Sequence, residues 1–575
     1  MKVFETLLFL NAGLPNLGFV QESEAPTVLL PGSQIQGVFA DGVETFFGIP
    51  YAESPAGLDR LKRPVRRTRP LGEFDATTAT PACPQGHFKA TESDRPWDWE
   101  RRSLGVVNAA DMPMRWYADP AVVTSEDCLT ITVQRPAGTK AGDNLPVLFM
   151  IHGYGFVMGA SSIYNATSFI NFGVNNKQPF IFVTANYRMG AWGFLPGKQV
   201  MANKTTNLGL YDQRMSMEWT SDYIAAFGGD PAKITLWGHS AGGVSVFDHL
   251  VINGGNASYN DGQLFRGAVM SSGSLIPADY PNSPKCQEVY DAVVEAAGCQ
   301  RKQDTLQCLR ELSSAEFERA TGAIPGINAV ETMRLLYIPR PDGDLIRHSP
   351  EKLVNSNMFL AVPMILGNQE DEGTIFAQAQ SSVNSGARLN HYLRRHYFRN
   401  AKGVHMRDFV KTYSKKPLDG SPYRTGNDFE EWLGKKRLAS VIGDVLFILP
   451  RRLALAFVAA SQPLLPLWGY QSSFNYRNGA SSAFGTSHGS FEAAVFDTGD
   501  YNSPYSTNST RAYMINFVYN LDPNKGAAGV EFWPKWTIDE PRLLWLNSSN
   551  NAHLSDTYRN RSYKYMKREL DLFRF

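Results

Sequence analysis

Long hydrophobic runs, an excess of charge of one sign and repeated sequence are all missing from this chain. No apolar run reaches the ~20 residues needed to span a bilayer, so we expect no transmembrane segment. The 56 Lys and Arg residues nearly balance the 55 Asp and Glu residues, and both signs are mixed along the chain. Nothing therefore indicates binding to nucleic acid. No repeat, low-complexity block or Gly/Ser-rich linker divides the sequence, and we expect residues 26–575 to form a single domain.

Cysteine is also scarce, at five residues in 575. No two of them form a Cys-x-x-Cys pair, so a zinc or redox site is weakly supported. Disulfide bonds fit the cysteines better, with one residue left over. Asn-x-Ser/Thr sequons also favour the secretory route, although some must be chance in so long a chain. These candidate glycosylation sites are Asn165, Asn203, Asn256, Asn508, Asn547 and Asn560.

The N-terminal segment, residues 1–25, has a mixed character. Lys2 and the run Leu7–Leu10 suit a secretory signal peptide, whereas Glu5, Asn11 and the lack of an Ala-x-Ala-like cleavage site do not. A frayed tail or a wrongly assigned start explains the segment equally well. With the sequons, we expect a protein that is secreted or passes through the secretory pathway.

Short apolar runs that end in glycine-rich loops recur along the chain. Such two-sided apolar runs are typical of buried strands in a mainly parallel sheet that helices cover on both faces. Ligands bind at the carboxyl ends of the strands in these sheets, which is where the loops fall. The expected strands are Leu145–Ile151, Phe180–Ala185, Ile234–Trp237, Gly267–Met270 and Phe359–Leu366. The expected crossover helices are Asp212–Phe227 and Cys286–Ala297.

The segment Gly238–Gly242, which reads Gly-His-Ser-Ala-Gly, is the most informative motif. It follows the strand-like run Lys233–Trp237 and opens a helix-like run, Ala241–Ile252. A serine hydroxyl is a poor nucleophile unless it is exposed, next to a base and near donors for an oxyanion. A sharp strand-to-helix turn exposes it, and the new helix supplies N–H groups and a positive dipole end. The alternative is a chance match, because short patterns of this kind occur in unrelated chains.

The glycine-rich loop His152–Phe156 follows the expected strand Leu145–Ile151. A tetrahedral intermediate needs two or three donors that point at one oxygen, and glycines allow such a close backbone approach. An ordinary tight turn would look the same in isolation. Upstream of a serine elbow, the loop indicates an oxyanion hole.

Three carboxylates, Glu370, Asp371 and Glu372, follow the run Phe359–Leu366. A solvated acidic loop is the usual meaning of such a cluster, and the functional interpretation is that one carboxylate orients a catalytic imidazole. His488 is the favoured base, because it lies in a small-residue loop and the order serine, acid, histidine is that of elbow enzymes. The other histidines after the acids are His391, His396, His405 and His553, of which the first two fall in a charged stretch typical of a solvated helix.

With these elements, the chain resembles the type-B carboxylesterases, the cholinesterase-like branch of the α/β-hydrolase family. The resemblance runs from about Pro26 to Leu546. It implies an α/β-hydrolase fold with a large mixed, mostly parallel sheet and helices on both faces. It also implies hydrolysis of carboxylic esters through an acyl-serine intermediate, with no metal or organic cofactor. The matching segments are Phe47–Ala52, Ser125–Leu129, Asn186–Arg188, Gly193–Leu195, Asn207–Arg214, Phe227–Pro231, Ser272–Ser274 and Asp522–Asn524.

The resemblance assigns roles to individual residues. Ser240 is the implied nucleophile, Glu372 rather than Asp371 the acid, and His488 the base. Further implied features are oxyanion donors at the backbone N–H groups of Tyr154, Gly155 and Ala241, a polar partner near the triad at Ser272, disulfides Cys83–Cys128 and Cys299–Cys308, and a free thiol at Cys286.

The sequence departs from the family pattern at two positions. Tyr154 replaces the middle residue of a glycine triplet, and its N–H can still donate to the oxyanion if its φ is negative. We expect its side chain to line the acyl-side pocket, because Gly153 and Gly155 remain on both sides to absorb the turn of the backbone. His239, just before the nucleophile, stands where many relatives carry a carboxylate. In cholinesterases that carboxylate helps to receive a cationic substrate, so its absence argues against choline esters.

The segment 83–128 resembles the lid or gorge-lip loop of the family and carries Trp97, Trp99 and Trp116. Plain surface packing is the alternative interpretation of this segment.

Three alternatives to a general carboxylesterase acting on small-molecule esters stay open. A lipase acting on acylglycerols would use the same residues, and so would a tailoring esterase of a biosynthetic pathway. A non-catalytic adhesion protein of the same fold would be expected to lack triad members and to carry a membrane span. The oligomeric state does not follow from the sequence.

Overall fold

The computed structural model describes residues 25–86, 123–322, 335–378, 380–474, 483–496, 503–526 and 530–575. Residues 1–24 of the possible signal segment lie outside this set. So do residues 87–122 of the lid-like segment, including Trp97, Trp99 and Trp116. None of the described helices combines the length and the apolar character that crossing a bilayer requires.

The strands of the described chain form one large sheet and two small ones. They are β1 Thr27–Leu30, β2 Ser33–Gln36, β3 Val38–Ala40, β4 Val43–Pro50, β5 Gly72–Asp75, β6 Thr130–Pro136, β7 Leu145–Ile151, β8 Ile181–Ala185, β9 Gly229–His239, β10 Ser258–Tyr259, β11 Gly262–Gln263, β12 Gly267–Ser271, β13 Met364–Gln369, β14 Leu467–Ser473, β15 Arg542–Asn547 and β16 Ala552–Ser555.

The large sheet is 11-stranded, with the order β16-β15-β14-β13-β12-β9-β7-β8-β6-β4-β3. From β8 to β15 all neighbours are parallel, whereas β3, β4, β6 and β16 pair antiparallel at the two edges. In register, Met270 of β12 lies opposite Gly238 of β9 and Leu366 of β13. The carboxyl ends of β7, β9, β12, β13 and β14 therefore meet along one edge of the sheet. The expected mixed, mostly parallel sheet is confirmed.

Side chains of β7 show why the sheet is covered on both faces. Val147, Phe149 and Ile151 belong to one hydrophobic cluster and Leu148 and Met150 to a second. Since successive side chains of a strand point to opposite faces, each face of the sheet contributes to its own core. A strand that is buried on both faces has no polar alternation, which explains the continuous apolar runs in the sequence.

Helices pack on both faces of this sheet. They are α1 Thr167–Asn175, α2 Gly190–Phe194, α3 Lys198–Ala202, α4 Leu208–Tyr223, α5 Ala241–Val251, α6 Pro284–Ala296, α7 Thr305–Glu311, α8 Ser314–Thr321, α9 Pro350–Asn355, α10 Thr374–Ala377, α11 Gly386–His396, α12 Gly403–Val410, α13 Lys435–Gly443, α14 Leu449–Ser461, α15 Ser490–Phe496, α16 Pro504–Asn520 and α17 Asn560–Arg568, with a π-helical turn at Asp444–Ile448. Helix α5 contributes to the first cluster, whereas α1, α15 and α16 contribute to the second.

Several element boundaries differ from the expected ones. The run Phe359–Leu366 becomes a strand only at Met364, directly after Pro363, which has no N–H to donate to a ladder. Helix α4 begins four residues before Asp212, and its expected last turn is the 3₁₀ segment Ile224–Phe227. The charged stretch around His391 is helical, as expected. Of its two histidines only His391 is exposed, because His396 lies on the buried face of the helix.

Both expected disulfides are present. Cys83 is bonded to Cys128 and Cys299 to Cys308, whereas Cys286 is free and buried. The first bridge closes a separation of 45 residues, which spans the lid-like segment.

The sequons are accessible. Asn547 is half-buried and the other five asparagines are exposed, with Asn508 inside helix α16. Exposure is necessary for glycosylation but does not establish it, so these sites stay predictions.

Candidate active site

Ser240 lies at the turn between strand β9 and helix α5. Its backbone has φ 56° and ψ −122°, a combination that costs a non-glycine residue on the order of 1–3 kcal/mol. The turn is held because the Ser240 N–H donates to the Ser271 carbonyl (2.8 Å), while its own carbonyl accepts from Val244 (3.0 Å) and opens the helix. The sequence pattern and the strained conformation together define a nucleophile elbow.

Glycine is required on both sides of this elbow. A Cβ on Gly238 would lie 2.1 Å from the Gly242 carbonyl oxygen, and one on Gly242 would lie 2.0 Å from the Ile151 carbonyl oxygen. Neither distance leaves room for a side chain. The two glycines of the motif therefore let helix α5 start directly against β7.

The loop His152–Phe156, after β7, lies against Ser240. A Cβ on Gly153 would be 2.9 Å from the Ser240 Cβ and 2.4 Å from the His239 carbonyl oxygen, so only glycine fits there. Tyr187 fixes the start of the loop, since its hydroxyl donates to the His152 carbonyl (2.8 Å) and its ring stacks on the His152 ring at 4.3 Å. The structure thus places the expected oxyanion donors Tyr154 and Gly155 on the loop that touches Ser240, with Ala241 at the start of α5.

Tyr154 does not have the negative φ that was the condition for its role as a donor. Its φ is 71°, and Gly155 and Phe156 follow with 65° and 62°. The left-handed conformation belongs to a turn in which the Val157 N–H donates to the Tyr154 carbonyl (3.3 Å). Contrary to our expectation, Gly153 and Gly155 do not absorb the whole reversal of the chain. Rotation about N–Cα moves the side chain and the next peptide rather than the residue's own N–H, so the donor role is not removed.

The Tyr154 side chain is half-buried and faces polar neighbours. Burial, followed by the charge of the Glu492 carboxyl, raises the pKa of the Tyr154 phenol, and Tyr154 in turn contributes to the raised pKa of Tyr164. The phenol therefore lies within electrostatic reach of both groups. Its expected place in the acyl-side pocket stays a prediction.

The acidic loop after β13 is buried rather than solvated, and each carboxylate has its own partner. Glu370 forms a bidentate ion pair with Arg424. Asp371 accepts hydrogen bonds from the Ser421 hydroxyl and from the backbone N–H groups of Tyr423 and Thr486, at 2.7 to 3.0 Å. Burial, then the charge of Glu370, raises the pKa of Asp371 to about 7.

Glu372 is the carboxylate that faces His488. Its Oε2 lies 2.6 Å from His488 Nδ1, and its Oε1 accepts from the Gln369 N–H at 2.7 Å. Both side chains are buried, with side-chain exposures of 0% and 8%. Two aromatic rings pack around His488, those of Phe447 at 4.5 Å and Phe376 at 5.3 Å between centroids. The carboxylate can therefore hold the imidazole and leave Nε2 for chemistry.

The residue before Ser240 contacts His488. The His239 ring lies 4.9 Å from the His488 ring between centroids. Asp371 also ties the histidine loop to the acidic loop, because its N–H donates to the Thr486 carbonyl (3.0 Å) while its carboxylate accepts from the Thr486 N–H. Three loops that are far apart in sequence thus converge at one edge of the sheet.

Ser272, after β12, lies on the opposite side of Ser240 from the glycine loop. A Cβ on the next residue, Gly273, would be 1.9 Å from the Ser240 carbonyl oxygen. The Ser272 N–H donates to the Gly367 carbonyl (2.8 Å), and its hydroxyl lies 3.5 Å from Gln369 Nε2. Ser272 therefore links the elbow to the strand that carries the acidic loop.

One polar residue of the site does not follow from the sequence analysis. Glu492, on α15, is 5% exposed and its Oε2 lies 3.4 Å from His239 Nε2. The available signal was its position four residues after His488, in the first turn of α15. Nothing in that spacing indicates that the carboxylate would meet His239.

A mostly parallel sheet with a serine elbow at its carboxyl edge defines an α/β-hydrolase. Comparison with known proteins agrees. The profile of the carboxylesterase family matches residues 24–566. The chain is 43% identical over 542 residues to the secreted triacylglycerol lipase LIP1 of Gibberella zeae, covering 94% of this chain and 90% of that protein. It is 40% identical to secreted lipase 1 of Botryotinia fuckeliana, over 96% of this chain and 94% of that one.

A solved structure gives the same result. The crystal structure of Aspergillus niger EstA superimposes with a TM-score of 0.78 at 25% identity, covering 96% of this chain and 99% of that chain. The protein belongs to the carboxylesterase family and is a carboxylic ester hydrolase. The alternative of a non-catalytic adhesion protein is thereby excluded.

Proposed function

We propose that the enzyme hydrolyses esters through a triad of Ser240, His488 and Glu372. The contact between His488 Nδ1 and Glu372 Oε2, at 2.6 Å in a buried site beside the elbow, is the observation that carries the proposal. A carboxylate at Nδ1 selects the tautomer whose Nε2 is unprotonated and free to accept a proton. Because the pair is buried, the carboxylate also stabilises the imidazolium more strongly than it would in water.

The proposed cycle has two halves. In acylation, His488 Nε2 takes the proton of the Ser240 hydroxyl while the oxygen attacks the ester carbonyl. The backbone N–H groups of Tyr154, Gly155 and Ala241 donate to the oxyanion, and His488 returns the proton to the departing alcohol. In deacylation, His488 Nε2 takes a proton from a water that attacks the acyl-serine carbonyl, and then gives it to Ser240 Oγ as the bond between the serine and the acyl group breaks and the carboxylic acid leaves. The elbow holds Ser240 in a strained conformation, so less of the geometry has to be organised during the reaction.

For the substrate class, we propose lipid esters, with triacylglycerols as the test case. The support is that two relatives at 43% and 40% identity over nearly the whole chain are named lipases, one of them a triacylglycerol lipase. Both are also named secreted, and two disulfides suit an oxidising compartment, so we propose secretion as well. His239 in place of a carboxylate continues to argue against choline esters.

The test compares the purified enzyme on emulsified long-chain triglyceride and on soluble p-nitrophenyl butyrate. A lipase is expected to release fatty acid from the emulsion and to gain rate when substrate passes from monomers to droplets. Activity on the soluble ester alone would replace the lipase proposal by an esterase, including a tailoring esterase with a narrow substrate.

The nucleophile is tested with Ser240→Ala, with Ser54→Ala as a control at an exposed serine that belongs to no sequon. Loss of one triad member typically lowers kcat by about 10⁴–10⁶, so we expect both activities to vanish in the first variant only. Labelling by a fluorophosphonate probe should vanish with them. Persistent labelling at another serine would remove Ser240 from its proposed role.

A further inference from the structure

A second buried carboxyl group, that of Glu492, lies behind the proposed triad. Within the described parts of the chain, neither of its oxygens accepts a hydrogen bond of good geometry, and no Lys or Arg forms an ion pair with it. Leaving an ionised carboxylate buried without a cation is costly, so such a group keeps its proton instead. Burial raises the pKa of Glu492 to about 8, and the charge of Glu372 acts in the same direction.

The groups that face Glu492 come from five elements. None of them supplies a permanent positive charge. The Ser271 hydroxyl lies close enough to lower the pKa of Glu492 without a hydrogen bond of good geometry, and its effect is smaller than that of burial. The groups are His239 on β9, Ser271 on β12, Tyr470 on β14, Tyr154 and Tyr164 on the segment after β7, and Glu372 on the loop after β13.

His239 lies between Glu492 and the proposed base. Its Nε2 is 3.4 Å from Glu492 Oε2, its Nδ1 is 3.5 Å from the Tyr164 hydroxyl, and its ring is tilted by 35° against the His488 ring. Burial, followed by the charge of His488, lowers the pKa of His239 well below the usual range. Among the described residues, neither His239 Nε2 nor Glu492 Oε2 has a hydrogen bond of good geometry to another group, but their 3.4 Å separation is short enough for a protonated carboxyl to donate a hydrogen bond to Nε2 of a neutral His239. The imidazole N–H is then on Nδ1, 3.5 Å from the Tyr164 hydroxyl.

We propose that Glu492 is a positioning residue for ester hydrolysis: as a neutral acid it holds the uncharged His239 ring against His488. The proposal rests on the proposed role of His488 as the base. During acylation His488 becomes an imidazolium, and at this distance a second cation on His239 would oppose it. Keeping His239 neutral and fixed removes that repulsion and prevents the ring from turning into the path of the Ser240 proton.

The proposal also assigns a consequence to ionisation of Glu492. A buried anion beside the elbow adds negative charge to a site that must develop an oxyanion next to Ser240 and already contains Glu372. We therefore expect kcat to fall as the pH rises through the range in which Glu492 loses its proton.

The experiment measures kcat and KM for p-nitrophenyl butyrate from pH 5.5 to 10 in the wild type, Glu492→Gln and Glu492→Leu. Glutamine imitates the neutral acid, so kcat at pH 7 should stay within about threefold while the fall in kcat near pH 8 disappears. Leucine cannot donate to His239, so kcat should drop at least about tenfold at every pH, with KM within about twofold. Glu351→Gln is the matched control, a buried glutamate that is ion-paired with Arg574, and should keep the wild-type profile.

Two results would overturn the proposal. One is a Glu492→Gln profile that retains the wild-type alkaline fall. The other is a Glu492→Leu enzyme with wild-type kcat, even if its melting temperature is lower, since that pattern is purely structural. Fluorophosphonate labelling of every variant separates this failure from failure of the proposed function. If wild-type Ser240 is not labelled, the triad itself is wrong, whereas normal labelling with unaltered pH profiles disproves only the role of Glu492.

Discussion

Replacing Glu372 by Gln tests the assignment of the acid most sharply. The Gln369 N–H needs an acceptor at the position of Oε1, where it donates at 2.7 Å in the wild type. The amide oxygen of the new side chain should occupy that position, which turns the NH₂ group toward His488 Nδ1. An NH₂ group donates, so it favours the tautomer in which Nδ1 is bare and Nε2 carries the proton. The base is then blocked at the nitrogen that should accept the Ser240 proton.

The expected size of the effect follows from this tautomer. A triad with the wrong histidine tautomer loses about 10⁴ in kcat, which corresponds to roughly 5 kcal/mol at about 1.4 kcal/mol per factor of ten. KM should change little, because Glu372 has no contact with substrate in the proposed mechanism. Labelling by fluorophosphonate should slow by a similar factor, since it uses the same base.

The neighbouring carboxylate supplies the control. Asp371→Asn keeps the acceptor for Ser421 and Tyr423 but sets an NH₂ group against the Thr486 N–H, which now donates to Oδ2 at 3.0 Å. An unsatisfied buried donor costs about 1–3 kcal/mol, so we expect a lower melting temperature. Its kcat should stay within about tenfold of the wild type. Turnover that survives Glu372→Gln but not Asp371→Asn would show that the acid has been assigned one residue too late.

The remaining predictions concern stability and acyl specificity. Burial raises the Glu492 pKa from 4.5 to about 8, so the stability that its bound proton contributes is complete below pH 4.5 and is lost as the pH rises to about 8. Over this range the free energy of unfolding of Glu492→Gln should rise relative to that of the wild type, by up to about 5 kcal/mol. Urea midpoints of the two proteins that change in parallel with pH would refute this. Tyr154→Gly should broaden acyl-chain acceptance and keep turnover of short esters within about tenfold; a uniform loss at all chain lengths would mean that the side chain orders the oxyanion loop. Breaking the Cys83–Cys128 bridge, which spans 45 residues, should cost around 4 kcal/mol in the chain-entropy model, and peptide mapping without reduction should recover this pair and leave Cys286 unpaired.

Local sequence predicted the elements of this enzyme well. The strand Leu145–Ile151 has the expected boundaries, and the elbow around Ser240 lies between the strand and the helix on either side. These features are visible in the local sequence: runs of apolar residues indicate burial on two faces, and closely spaced glycines indicate places where backbones almost touch. The order of serine, acid and histidine along the chain also predicted that the three residues lie together, because the carboxyl ends of parallel strands meet at one edge of the sheet.

The places where sequence reasoning was wrong or silent share a different cause. The φ of Tyr154 depends on a turn that packs against Ser240, and the role of Glu492 depends on its contact with His239. Each feature is decided by contact with a segment far away in the chain. A residue type or its spacing carries little information about such contacts.

The acidic cluster shows most clearly which features follow from the sequence and which depend on the tertiary structure. The sequence by itself determined that three adjacent carboxylates follow a strand of the sheet. The resemblance already implied Glu372 as the acid, and the tertiary structure supplies the physical reason: Arg424 neutralises Glu370, backbone N–H groups hold Asp371, and Glu372 contacts His488. The tertiary structure also places Glu492 of α15 next to His239 of β9, although the two residues are more than 250 positions apart in the sequence. Such contacts matter for catalysis because the groups are buried. An ionisable group withdrawn from water has its pKa set by the few groups that touch it.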